Sequence, residues 1–287
     1  MTGTPARSGL ILVGVADAAA SEPALRYAGA EALRTGGSVR IVHVLTGATT
    51  SDVDDVSEQA AGRLRELTRG RVPVEALDHS APLVPALVAD SRDATLVVLQ
   101  RRHRTRLQWL LEGSRSTHVA GQAHAPTVWV PEDWQDTDAV GLHVVVGVDA
   151  AEDEECLDLL RHACQRANQR GASLTVVHGW QLSSGYDDAV LDRLVVAEWA
   201  DRYQGALQRR LSVVRAEHPA VPVEVEIVHL PPAEALVQAS KDAVLLVLAR
   251  GRLAHPLVGH LGSVARAVMR DAACPVEIMP DPRGQRG

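Results

Sequence analysis

Leu12-Val13-Gly14-Val15 and Val145-Val146-Gly147-Val148 are two copies of one apolar, strand-like run, and each leads through a helical stretch to a second run ending in Val-His. The two copies start 133 residues apart; at the second run, Val42-His43 answers Val177-His178 and the offset is 135. From Pro73 and Pro222 onward it is 149, and it holds through Leu96/Leu245, Gly113-Ser114/Gly262-Ser263, Pro126/Pro275 and Pro131/Pro280. Spacing that stays constant across so many landmarks marks an internal duplication. The added residues of the second copy fall between its second and third strands, where Asp187 to His218 reads as one long helix; the counterpart, Asp52 to Arg69, is shorter.

Within each copy, short apolar runs alternate with amphipathic helical stretches, the pattern of a parallel sheet covered by helices on both faces. Five strands and four helices are expected per copy. The strands lie near 10–16, 38–45, 72–77, 95–100 and 126–130, then near 142–149, 173–180, 222–228, 243–248 and 275–279. Continuous runs such as Leu96 to Leu99 and Val244 to Leu248 suit central strands buried on both sides. The fold class is therefore α/β, with two tandem doubly wound domains at 1–133 and 141–282 and an acidic linker, 131–140, that opens with a proline.

Composition narrows the function. The 287 residues carry a net charge of −7, which argues against broad nucleic-acid binding, since phosphate neutralisation needs a basic surface. The longest apolar runs, Leu10 to Val15 and Val244 to Leu248, are too short to cross a bilayer, and the start of the chain has no signal-peptide apolar region. A soluble cytoplasmic protein without a membrane partner is expected. The three cysteines, Cys156, Cys164 and Cys274, form no Cys-x-x-Cys pair and read as small buried apolar residues. Twelve histidines fall at no metal-ligand spacing, and neither a Gly-x-Ser-x-Gly elbow nor a Walker phosphate loop is present, so no metal and no dedicated enzymology are expected.

In open α/β sheets a ligand settles at the carboxyl ends of the strands, where strand order reverses. Two loops of the second copy end there. After the first strand comes Val148-Asp149, whose carboxylate could accept from a ribose hydroxyl or equally cap the following helix. The other loop leads into Gly262-Ser263, which opens a helix and so presents unpaired N–H groups, a hydroxyl and the positive end of the macrodipole. The first copy's equivalent loop holds Arg101, Arg102, His103, Arg104 and Arg106, a basic patch that suits either an anion or an acidic neighbour, with Trp109 and Leu110 suggesting that part of it packs.

Along nearly its whole length each copy resembles the universal stress protein family. The second carries Val145 to Asp149, Val176-Val177-His178, Pro232 to Leu236, Arg250-Gly251-Arg252, Gly262 to Val268 and Cys274-Pro275-Val276. The resemblance implies a Rossmann-like domain of the adenine nucleotide alpha hydrolase type with strand order 3-2-1-4-5. ATP-binding members share a loop of Gly, two residues, Gly, nine residues, Gly, then Ser or Thr. Here Leu248 takes the first glycine's place, Gly251 the second's, and ten residues precede Gly262-Ser263. The first copy departs further, with Leu99 and Arg102 at both glycine positions and Ala16 in place of the family's aspartate, beside Asp17.

Carried over by position, Asp149 would meet the ribose or adenine side and Gly179 would offer backbone to adenine. Gly251, Gly262, Ser263 and Val264 would surround the phosphates, with Arg250 and Arg252 either adding positive charge or standing solvated; Ala265 stands where many relatives have a hydroxyl. The resemblance thus implies a stress-response regulatory protein holding ATP or another adenine nucleotide in the second domain alone. The alternatives are a nucleotide-free interaction scaffold and a slow ATPase. It also implies pairing of the two domains through Thr127 to Val130 and Val276 to Met279, with a homodimer as a further level of assembly.

Overall fold

A computed structural model describes residues 9–44, 56–80, 82–101, 114–136, 142–149, 154–181, 193–251 and 261–280. The chain divides into two compact units. The first contains β1 (Leu10–Val15), α1 (Glu22–Thr35), β2 (Ser38–Val44), α2 (Val56–Leu67), β3 (Val74–His79), α3 (Leu83–Asp90), β4 (Leu96–Gln100), α4 (Ser114–Gln122) and β5 (Thr127–Val130). The second contains β6 (His143–Gly147), α5 (Glu154–Arg170), β7 (Ser173–Gly179), α6 (Arg193–Glu217), β8 (Val223–Val228), α7 (Pro232–Ala239), β9 (Leu245–Ala249), α8 (Ser263–Asp271) and β10 (Val276–Met279).

Strand order is β3-β2-β1-β4-β5 in the first unit and β8-β7-β6-β9-β10 in the second, with the strands within each unit parallel. This is the doubly wound order that the family resemblance implies. Order reverses between β1 and β4, and again between β6 and β9, so each unit has one switch point at its carboxyl edge.

Alternation along the central strands sorts their side chains onto two buried faces. Ile11, Val13 and Val15 pack with Leu25 and Ala28 of α1 and Ala61 and Leu64 of α2. In the second unit Val144, Val146, Leu174 and Val176 pack with Leu160 and Ala163 of α5 and Leu207, Leu211 and Val214 of α6. The opposite faces are covered by α3 beside α4 and by α7 beside α8. The inserted length of the second copy therefore builds a 25-residue helix that covers the sheet.

β3 begins two residues later than its expected start near 72, because Pro73 has no N–H to give the ladder; its carbonyl instead accepts from Val39 N at 2.9 Å. The start of the long helix before Arg193, residues 52–55 of the shorter one, the basic loop from Arg102 with Trp109 and Leu110, Gly113, Arg252 and linker residues 137–140 lie outside the described residues. Among the described residues no helix is long and apolar enough to cross a membrane.

Candidate functional site

Three adjacent strands of the second unit end side by side: β7 at Gly179, β6 just before Asp149, and β9 just before Arg250 and Gly251. Asp149 is exposed at the first of the two loops singled out from the sequence. The second loop brings its glycines together. Gly251 has φ +81, a left-handed backbone open to glycine, and a Cβ built on it would stand 4.0 Å from both N and Cα of Gly262.

Gly262 is the N-cap of α8 with φ −58 and ψ 158, and among the described residues no side chain caps the helix. The first helical bond runs from Arg266 N to Gly262 O at 3.1 Å, so the amides of Ser263, Val264 and Ala265 precede it. Among the described residues nothing lies within 4 Å of a Cβ position on Gly262, and Ser263 is exposed. That arrangement offers an anion the positive end of a helix with room beside it. Ala265 is buried, so its position contributes only backbone. Arg250 is half-buried, with its backbone N–H donating to Met279 O at 3.0 Å.

Two positions singled out from the sequence have packing roles in the structure. Leu248, placed in the phosphate loop by its position, is the fourth residue of β9 and is buried on the α7 side. Its Cδ2 lies 2.5 Å from where a Cβ on Gly147 would be, and Leu236 Cδ2 lies 2.7 Å from the same point. The first unit repeats this with Leu99 2.7 Å and Leu87 3.2 Å from the Cβ position of Gly14. The strand glycine and the leucine are one packing unit, and the leucine fills sheet face rather than the helix start. Gly179 also has a packing role: a Cβ built on it would meet Pro232 Cα at 2.8 Å and Ala235 Cβ at 3.0 Å, so only glycine lets α7 seat this closely on the strand.

The repeated histidines also differ. His178 Nδ1 donates to Val148 O at 3.1 Å, whereas His43 Nδ1 pairs with Asp78 Oδ1 at 3.2 Å and Ser57 Oγ donates to Asp78 Oδ2 at 2.8 Å. Position 227, the counterpart of Asp78, is Ile227, which removes the carboxylate from the second unit.

At the first unit's switch point, Gln100 occupies the edge itself. Its Oε1 accepts from Ala24 N at 3.0 Å, and its Nε2 donates to Val130 O at 3.1 Å and Arg101 O at 3.3 Å. The N-terminus of α1, whose own Ser21 makes no side-chain cap bond, is thus closed by a residue from β4. Asp17 is engaged in its turn, accepting from Ala20 N at 2.7 Å. The second unit has Ala249 in place of Gln100, so its switch point has no such carboxamide. No sequence motif announces Gln100; its role depends on α1 and β4 meeting across the sheet.

The three cysteines are buried, and burial pushes the Cys164 thiol up from its ordinary range. Among the described residues no group of three or more His, Cys, Asp or Glu could hold a metal ion.

The family model of the universal stress protein family matches residues 9–131 and again 142–280. The chain belongs to the universal stress protein family. This universal stress protein is 32% identical over 198 residues to one from Mycobacterium tuberculosis, an alignment spanning 68% of this chain and 61% of that relative's length. A second from the same organism is 33% identical over 225 residues, spanning 77% of this chain and 72% of the relative. A universal stress protein structure from Archaeoglobus fulgidus has the same fold, with a TM-score of 0.65 at 19% identity, covering 95% of this chain and 96% of that one.

Proposed function

We propose that this universal stress protein is a cytoplasmic stress-response regulator that holds one ATP or related adenine nucleotide at the carboxyl edge of its second unit. The observation that carries this is the meeting of Gly251, at φ +81, with Gly262 at the uncapped start of α8, beside the strand end that carries Asp149. In that pose the phosphates lie against the amides of Ser263 and Val264, and Asp149 accepts from the ribose. Arg250 sits at the same edge. The function is binding, and occupancy is the signal.

Calorimetry of the full chain with ATP tests it: one equivalent is expected, weakened by Asp149→Ala and Ser263→Ala. No heat at millimolar ATP removes the nucleotide reading. Phosphate release that survives both substitutions identifies a contaminant rather than turnover by this chain. A nucleotide-free scaffold is the second reading. It is favoured by the burial of Leu99 and Leu248 in the packed face and by Gln100 closing the first unit's switch point.

A further inference from the structure

The helix start at Gly262 belongs to α8, and α8 is fastened at its other end. Ser240, the C-cap of α7, is buried at 0% exposure. Its hydroxyl donates to Val237 O at 2.7 Å and accepts from Ala273 N at 2.9 Å, two residues beyond α8. The first unit repeats this clamp 149 residues earlier: Ser91, the C-cap of α3, donates to Val88 O at 2.7 Å and accepts from His124 N at 2.9 Å.

The last carbonyls of a helix lack intrahelical partners, and one hydroxyl here serves both such a carbonyl of α7 and an amide just past α8. α7 is itself seated against the sheet. A Cβ on Gly179 would meet its Pro232 Cα at 2.8 Å, and a Cβ on Gly147 would meet its Leu236 Cδ2 at 2.7 Å. Packing this close transmits a small shift instead of absorbing it. α8 has nine residues and so spans about 14 Å as one rigid rod. How its C-terminal end is held therefore sets where the amides of Ser263 and Val264 stand at the other end.

We propose that Ser240 is a positioning residue for the anion site of the second unit: by tying the C-terminal end of α8 to α7, it sets the place at which the Ser263 and Val264 amides meet a phosphate. The first unit supplies the comparison, because it has the same clamp but Arg102 at the position of Gly251. A clamp that served stability alone would act alike in both units. The inference rests on the nucleotide reading above and adds to it a residue that does not touch the ligand.

The test compares Ser240→Ala and Ser91→Ala in the full chain, titrating each with ATP and with adenosine by calorimetry and recording the Ser263 and Val264 amide resonances without ligand. Both variants are expected to melt at similarly lowered temperatures. Ser240→Ala is expected to shift the two resonances and weaken ATP about tenfold, the scale on which outer-shell partners of a site act, while adenosine, which has no phosphate, binds as before. Ser91→Ala is expected to change neither ligand. Unchanged ATP affinity in Ser240→Ala, or an equal loss for ATP and adenosine, overturns the proposal and leaves the nucleotide reading standing. If the parent chain binds no ATP, the nucleotide reading fails and the resonances decide: unmoved, they remove the positioning role as well; shifted, they support it. Should Ser240→Ala fail to fold by circular dichroism, Ser240→Cys, close in shape with a weaker donor and acceptor, takes its place in the same comparison.

Discussion

Arg166 and Glu277 meet inside the second unit, Nε donating to Oε2 at 2.9 Å, with the two side chains 8% and 0% exposed. His162 Nε2 engages the other carboxylate oxygen. The network ties the last strand to α5, and it is an addition to the duplicated plan, because the counterpart of Glu277 in the first unit is Val128. Burial pushes the Glu277 carboxyl up, but the charges of Arg166 and His162 outweigh it and hold the group at about 2.

Removing one partner of this pair strands the other. Glu277→Ala is expected to destabilise the second unit by about 3–5 kcal/mol, because a buried guanidinium loses its counter-charge. Replacing both, as in Arg166→Met with Glu277→Leu, is expected to recover most of that loss. Urea unfolding of Glu277→Ala, Arg166→Met, Glu277→Leu and the double variant beside the parent checks it; an additive double substitution contradicts the account.

Acid should expose the same network. A carboxyl whose folded value is about 2, below its ordinary 4.5, contributes stability that is present above about pH 4.5 and lost as pH falls toward 2. Glu22, lowered to about 2 by hydrogen bonds from Arg63 and Arg26, acts in the same direction in the first unit. Glu277→Gln is expected to flatten the second unit's pH dependence across that window and leave the first unit's in place. Circular dichroism against pH at fixed urea reads the difference.

Gly147 is expected to resist even a methyl group. Its Cβ position meets Leu248 Cδ2 at 2.5 Å and Leu236 Cδ2 at 2.7 Å, so Gly147→Ala should overpack the face and lose about 1–3 kcal/mol. Adding Leu248→Ala opens space for the methyl, and the pair should lose less than the sum of the two. Thermal unfolding of the single and double variants measures the coupling.

Gln100 acts through both ends of its carboxamide. Gln100→Glu keeps an acceptor for Ala24 N but turns carboxylate oxygen toward the carbonyls of Val130 and Arg101, and a loss of about 1–3 kcal/mol is expected. Gln100→Leu leaves all three backbone groups without this partner and should lose a similar amount. Faster amide exchange at Ala24 in both the Leu variant and Gln100→Ala, with little change elsewhere, would locate the effect at the α1 start.

The duplicated plan was legible because repeat offsets, strand alternation and the Gly-Ser helix start are local properties of the chain. Asp149, Gly251, Gly262 and Ser263 could be singled out for the same reason, and they stand on adjoining strand ends and the α8 start. Gln100, the Leu248-Gly147 contact and the Glu277 network had no comparable signal. Ala24 lies 76 residues from Gln100, and His162 lies 115 from Glu277, distances no periodicity spans.

By itself, then, the sequence determined two α/β units, their strands and the loops at the strands' carboxyl ends, since hydrophobic period and turn residues act within a few positions. Only the tertiary structure decided what occupies each switch point: a carboxamide in the first unit, and Gly251 brought to the Gly262 helix start in the second. Packing across parallel strands brings distant residues together, and which side chain fills a gap depends on its spatial neighbours rather than on its neighbours in the chain.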